Sequence, residues 1–483
     1  MVFSSTVFLF AFLPAVLIVY SATPRALRNL WLLAASLLFY AWGETWFVLV
    51  MLASIAVNYL LGLGMGSFSQ PRARRVLLAA GVASNVGLLG TYKYANFIVH
   101  NLNAILHGVG MGPVELAPIH LPIGISFFTF QALSYVIDVY RGDAPAQRNP
   151  LRLALYIALF PKVAQGPIVR YAHIADQLVK RTLKRKDFVD GVRRFIIGLA
   201  KKVLIANTLG RPADRIFAIP AGELTPALAW LGAVCYTSQI YFDFAGYSDM
   251  AIGLGRMFGF HFLENFSYPY VSQSIREFWR RWHISLSSWF RDYVYIPLGG
   301  NRRSAARTHL NLFLVFFLCG LWHGASWTFV IWGMCHGIFM VLERSRIGDW
   351  LSRAWRPVRH AYALLVVTTG WVVFRAETLP QAWAMLRAMA GFAAGQGVRY
   401  HVWLYLTPEV MLALVIAVAG SAPLAPALTE WRARTIAAHQ DAVGRALDIG
   451  TSFGMAGVFV LLLVVSAVWL SAGTYNPFIY FRF

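Results

Sequence analysis

The chain has 483 residues, of which 58% are hydrophobic and 13% charged, and its 42 Lys and Arg against 21 Asp and Glu give a net charge of +21. So apolar a balance excludes one soluble domain with an ordinary polar surface. The basic excess falls in short segments between apolar runs, which is the mark of membrane topology and excludes nucleic-acid binding as the reason for the charge.

The first apolar run, Val2 to Tyr20, lacks a positive leading region and a small-residue cleavage site, so it is expected to remain as an uncleaved helix. Arg25 and Arg28 follow it, Glu44 follows the second run from Asn29 to Gly43, and Arg72, Arg74 and Arg75 follow the third. This alternation predicts an outside amino terminus and cytoplasmic basic loops. The segment LFPKVAQGPIVR, Leu159 to Arg170, is cut by two prolines. Reading the run before it as a full crossing would place the basic stretch with Lys180, Arg181, Lys184, Arg185 and Lys186 outside. A re-entrant or broken helix around Pro161 removes that conflict, and such backbone at membrane depth implies an internal chamber.

The uncharged run from Pro226 to Phe242 ends in SQIYFDFAGYSDMAIG, which carries Gln239, Tyr241, Asp243, Ser248 and Asp249. A carboxylate in hydrocarbon costs on the order of 3 kcal/mol, so both aspartates must face partners or water. Pairing with arginines of the 276–307 segment is the first expectation. That segment holds seven arginines and His283, and it leads into Thr308 to Leu342, which has no charged residue yet contains His323 and His336. Imidazoles at membrane depth point to proton handling. Ala361 to Phe374, Val410 to Thr429 and Thr451 to Phe481 complete the apolar runs, for roughly ten to twelve spanning or re-entrant helices.

The three cysteines, Cys235, Cys319 and Cys335, lie in apolar runs without paired spacing, so they give no disulfide framework. Cys319 and His323, one helical turn apart, lack the further ligands of a metal site. No phosphate-binding glycine loop is present, and GLGRMFG lacks the dinucleotide spacing. No bound metal or nucleotide cofactor is expected.

Five strings carry a resemblance: MVFSSTVFLF at the amino terminus, LPIGISFFTFQALSYVIDVYRG from Leu121 to Gly142, YFDFAGYSDMAIGLG, EFWRRWHISLSSWFRDYVYIPLGGN and GLWHGASWTFVIWG. They resemble the membrane-bound O-acyltransferase (MBOAT) family, in its bacterial alginate O-acetylation branch, over nearly the whole chain and least from Gly395 to Gly450. The resemblance implies one all-α polytopic domain over residues 1–483, with a core at about 120–345 and a tail at 474–483, wrapped around a reaction chamber reached from both membrane faces. It implies His283 and His323 as the reaction centre. It further implies a multi-pass protein of the bacterial inner membrane, in contact with its lipid, that moves acetyl from a cytoplasmic thioester, acetyl-CoA, toward a cell-surface polysaccharide with an exported esterase-like partner.

Acyl transfer from a thioester to a hydroxyl needs a base, a positioned acceptor and oxyanion stabilisation. His323 is expected as general base, worth roughly a hundredfold to ten-thousandfold in rate. Gly320 and Gly324 beside it would admit a pantetheine arm, or equally serve helix packing. The residues alone leave His283 either an interfacial histidine held by aromatics or a catalytic one; the resemblance assigns it to orienting or polarising the donor carbonyl. His336 is expected to bond a backbone carbonyl. Arg276, Arg280, Arg281 and Arg291 could hold coenzyme A phosphates, although topology alone accounts for arginines there. The tail NPFIYFRF offers Tyr480 as an acyl relay or as an aromatic belt anchor. Two other classes compete: a transporter of an acyl carrier or glycan, and a scaffold for an exported transferase.

Overall fold

Apolar runs of about twenty residues can satisfy their backbone in lipid only as helices. The computed structural model describes residues 1–393, 395–439, 442–473 and 475–476, and every regular element among them is helical. The principal helices are α1 (Phe8–Ala22), α2 (Arg28–Glu44), α3 (Phe47–Ser67), α4 (Pro71–Gly108), α5 (Ile125–Arg141), α6 (Pro150–Ala158), α7 (Arg185–Ala200), α8 (Asn207–Phe217) and α9 (Pro226–Met257). They continue with α10 (Ile275–Arg281), α11 (Ile284–Phe290), α12 (Ala305–His323), α13 (Trp327–Leu342), α14 (Arg356–Arg375), α15 (Pro408–Gly420), α16 (Leu424–Ala438) and α17 (Ala442–Ser471). Among the described residues α3, α4, α12, α14 and α17 are long and apolar enough to cross a membrane, and α15 with α16, bent by 62°, makes a sixth span if counted as one. The chain is a multi-pass, all-α membrane protein.

Contacts gather the basic loops on one face. Arg74 donates to the Tyr140 carbonyl at 2.8 Å, Arg170 pairs with Asp292 at 2.7 Å, and Arg181 reaches Asn29 at 2.6 Å. The charge rule assigns this face to the cytoplasm. The opposite face collects the end of α2, the loop between α4 and α5, and the turn from α12 to α13.

The helix before Pro161 breaks as expected. Proline has no N–H to continue the ladder, and α6 ends at Leu159, where φ −51° and ψ 112° leave the helical region. The broken segment is buried in protein, and the ammonium of Lys162 within it donates to the Gln131 side chain and the Tyr156 carbonyl.

α7 and α9 meet along a seam of glycines. A Cβ on Gly198 would stand 2.5 Å from the Gly246 carbonyl oxygen, and one on Gly253 would stand 2.6 Å from that of Gly191. This approach corrects the expected pairing of the α9 aspartates. Asp249 binds Arg194 at 2.9 Å and Lys201 at 2.7 Å, and Asp243 binds Lys202, so these three ion pairs come from the α7 side and not from the 276–307 segment. The backbones can approach because neither carries a Cβ at the crossing, which sets the basic end of α7 against the acids of α9.

Candidate active site

His283 stands at the break between α10 and α11 with φ +42°, a left-handed conformation in a non-glycine residue. Such strain costs about 1–3 kcal/mol and persists only where neighbours impose it. Asn265 imposes it. Its carbonyl oxygen accepts from Ile284 N–H at 2.9 Å, and its side-chain Oδ1 accepts from Ser285 N–H at 3.2 Å and Ser285 Oγ at 2.8 Å. The same Oδ1 lies 3.1 Å from His283 Nδ1. Because a backbone N–H can only donate, the amide atom it meets is oxygen, so Nδ1 of a neutral His283 carries the proton and Nε2 keeps its lone pair. Nε2 is buried and has no hydrogen-bond partner among the described residues.

His323 is the last residue of α12, 6% exposed, and neither of its ring nitrogens has a partner among the described residues. Its ring packs edge-on against Trp322 and Trp332, each 5.0 Å away, and against Phe374 at 5.3 Å. The Trp322 ring is also 5.9 Å from His283, so one indole lies beside both imidazoles. Charge enters from α4, where a π-helical turn at Gly90–Tyr94 presents Lys93. Lys93 Nζ donates to the Trp322 carbonyl at 2.6 Å, the His323 carbonyl at 3.2 Å and Ser126 Oγ at 3.1 Å, and Tyr94 donates to the Leu321 carbonyl at 2.8 Å. These are the carbonyls that a helix end leaves unsatisfied, and a cation there opposes the negative end of the helix dipole.

Two cavities approach this centre from opposite faces. The outer one, of about 220 Å³, is lined by Glu44, Lys93, Gly124, Ser126, Trp322 and His323. The one on the basic face, of about 350 Å³, is lined by Arg276, Arg280, Arg291 and Arg344 with apolar side chains, and reaches Ile284 beside His283 and Cys319 one turn before His323. Glu343 accepts from the Ile275 and Arg276 N–H groups at 2.5 and 2.9 Å, tying α10 to the end of α13.

The remaining candidates are distributed differently from expectation. Arg281 is outside the arginine-lined cavity, bonded to Glu277 at 2.9 Å and the Ser267 carbonyl at 3.0 Å. Arg291 lines it while pairing with Asp292 at 2.6 Å. Tyr241 and Asp249 line a third cavity of about 350 Å³ with Arg194, Lys201 and Asn265. Asp243 faces Lys202, and Gln239 packs against Gly210 of α8. His336 Nδ1 accepts from Trp279 Nε1 of α10 at 3.2 Å, so that nitrogen carries no proton to give a backbone carbonyl. Gly320 leaves no room for a pantetheine arm, since a Cβ there would run into the Phe329 carbonyl oxygen of α13; at Gly324 the Phe329 ring fills the space. Tyr480 lies outside the described residues; before it, Asn476 donates to the Ser4 carbonyl at 2.7 Å.

Lys93 and Asn265 were not singled out from the sequence. Lys93 had a signal, as the one charged residue between Val76 and Leu106. Asn265 had none, because it sits in irregular chain with no periodicity.

A helical membrane bundle holding two buried imidazoles between opposed cavities has the architecture of a membrane-embedded acyltransferase. Residues 146–366 match the model of the MBOAT, membrane-bound O-acyltransferase family. A protein of Azotobacter vinelandii named "Probable alginate O-acetylase" is 45% identical over 502 residues, covering 100% of both chains. A peptidoglycan O-acetyltransferase of Helicobacter pylori is 36% identical over 432 residues, 81% of this chain and 80% of its own. A teichoic acid D-alanyltransferase of Bacillus subtilis is 31% identical over 230 residues, 45% of this chain and 58% of its own. The chain belongs to the membrane-bound O-acyltransferase family and is an O-acyltransferase.

Proposed function

We propose that the protein passes acetyl from cytoplasmic acetyl-CoA to a hydroxyl of an exported polysaccharide at the bacterial inner membrane, with an exported esterase-like partner completing delivery. The relatives named for alginate and peptidoglycan O-acetylation support the acceptor class. The observation that carries the mechanism is the His323 imidazole in the outer cavity, with neither nitrogen partnered among the described residues and the arginine-lined cavity ending one helical turn behind it. A turn is about 5.4 Å, a distance a thioester can bridge.

The donor's phosphates sit against Arg276, Arg280 and Arg344, and its arm runs along the apolar wall toward Ile284 and Cys319. The acceptor hydroxyl enters from the outer side, and His323 takes its proton as the oxygen attacks the thioester carbonyl. The new C–O bond forms, the C–S bond breaks, and the proton returns from His323 to the leaving sulfur. Neutral His283, held as the Nδ1–H tautomer, acts on the donor by accepting a hydrogen bond at Nε2, not by polarising a carbonyl.

The test is acetyl transfer from labelled acetyl-CoA in membranes containing the full chain. His323→Ala is expected to abolish bond formation while the protein still folds and inserts. A transporter would show flux without transfer, and a scaffold would remain active as both His283→Ala and His323→Ala; either outcome overturns the proposal.

A further inference from the structure

We infer that Asn265 is a positioning residue for acyl transfer: it fixes both the tautomer and the orientation of His283, so that the lone pair at Nε2 always faces the reaction centre. This rests on the reading in which His283 takes part in the reaction.

The amide itself is doubly fixed. Its Nδ2 donates to Ser248 Oγ on α9 at 3.0 Å, which commits the nitrogen side, and Ser285 N–H commits the oxygen side. Ser285 Oγ in turn accepts from the Ile168 N–H at 2.9 Å, so its own proton is free to point at Asn265 Oδ1. Among the described residues the other oxygen near His283 Nδ1 is Ser285 Oγ at 3.4 Å; with its proton on Asn265 Oδ1 it cannot donate to Nδ1 and so cannot support the opposite tautomer. The ring plane is set by Phe244, edge-on at 4.6 Å, and by Phe266, the residue after Asn265, stacked at 6.5 Å. A neutral imidazole exchanges its proton between two nitrogens unless one is held, and the wrong tautomer offers an N–H where the reaction needs a lone pair.

Asn265 also forms part of the wall between His283 and the polar cavity of Arg194, Lys201 and Asp249. At 1% exposure it plugs that wall as well as bonding the ring. A small replacement would open the wall to water, so the informative substitutions keep the side-chain volume.

The experiment uses membranes carrying the full chain as wild type, Asn265→Leu, Asn265→Asp, His283→Ala and the double variant Asn265→Leu/His283→Ala. The readouts are acetyl transfer from labelled acetyl-CoA and thermal melting of each purified chain. Asn265→Leu removes the acceptor and is expected to lower transfer by about tenfold or more, since losing the group that holds a catalytic histidine in its tautomer can cost up to about ten-thousandfold. Asn265→Asp restores an acceptor at the same place, with Ser248 turning to donate, and is expected to recover most of that loss. The double variant is expected to be no slower than His283→Ala alone, since an effect that runs through the imidazole vanishes with it.

Wild-type transfer by Asn265→Leu, losses that multiply in the double variant, or Asn265→Asp as inactive as Asn265→Leu with unchanged melting would each overturn the inference. A wild-type chain that transfers nothing would instead count against the proposed function, so the two failures are distinguishable.

Discussion

Replacing Lys93 with methionine should separate activity from stability. The change keeps the side chain's length and removes the ammonium that serves the carbonyls of Trp322 and His323 at the end of α12. Each buried carbonyl left without its donor costs about 1–3 kcal/mol. Against that, an ammonium buried against protein carries an effective desolvation penalty of several kcal/mol, and methionine removes it. The two changes nearly offset, so Lys93→Met is expected to insert and melt much as the wild type does. The reaction has no such compensation. His323 is the terminal residue of α12, its ring nitrogens have no partner among the described residues, and its backbone is held through this lysine. A shift of about 1 Å in a reacting group costs on the order of a hundredfold in rate. Acetyl transfer from labelled acetyl-CoA, scaled to folded protein, is therefore expected to fall by more than about tenfold. Unchanged transfer, or a fall that only follows loss of folded protein, would refute the reasoning.

Asp243→Asn is expected to destabilise the chain by about 3–5 kcal/mol, because it removes the carboxylate from a buried ion pair with Lys202, whose side chain is only 5% exposed. Asp249→Asn should cost less, since Arg194 keeps Glu264 and Lys201 is 28% exposed; melting of the two purified variants compares them directly. Arg280→Ala is expected to raise KM for acetyl-CoA about tenfold or more with kcat unchanged, as loss of one charged hydrogen bond to phosphate would. Arg281→Ala, outside that cavity, should leave KM where it is.

What the sequence revealed follows the reach of each signal. The break at Pro161 was legible because a proline acts on its own turn, and the burial of His323 and His336 was legible because charges vanish after Arg307. The partners of Asp243 and Asp249 were assigned to the wrong segment, although a signal existed: Gly191 and Gly198, like Gly246 and Gly253, are seven residues apart, two helical turns, and mark a close helix seam. Reading one helix at a time hides a pattern that has meaning only when two are laid together. The grip of Asn265 on the 283–285 turn was beyond reach for a stricter reason, since it joins irregular segments whose meeting depends on the whole bundle.

The two imidazoles are held in opposite ways, and the difference bears on what each can do. His283 is fixed through its ring: one nitrogen is committed to Asn265 and the backbone beneath it is strained into place. His323 is fixed through its backbone by Lys93 and through its ring by aromatic side chains, which leaves both nitrogens without a partner among the described residues. A ring with one nitrogen committed presents a constant lone pair and suits holding a substrate in register. A ring with two open nitrogens can take a proton on one side and release one on the other. The proposed proton transfer from an outer hydroxyl to a thiol on the basic side would require that second behaviour, and the end of α12 sets His323 at the outer cavity, where the hydroxyl would arrive.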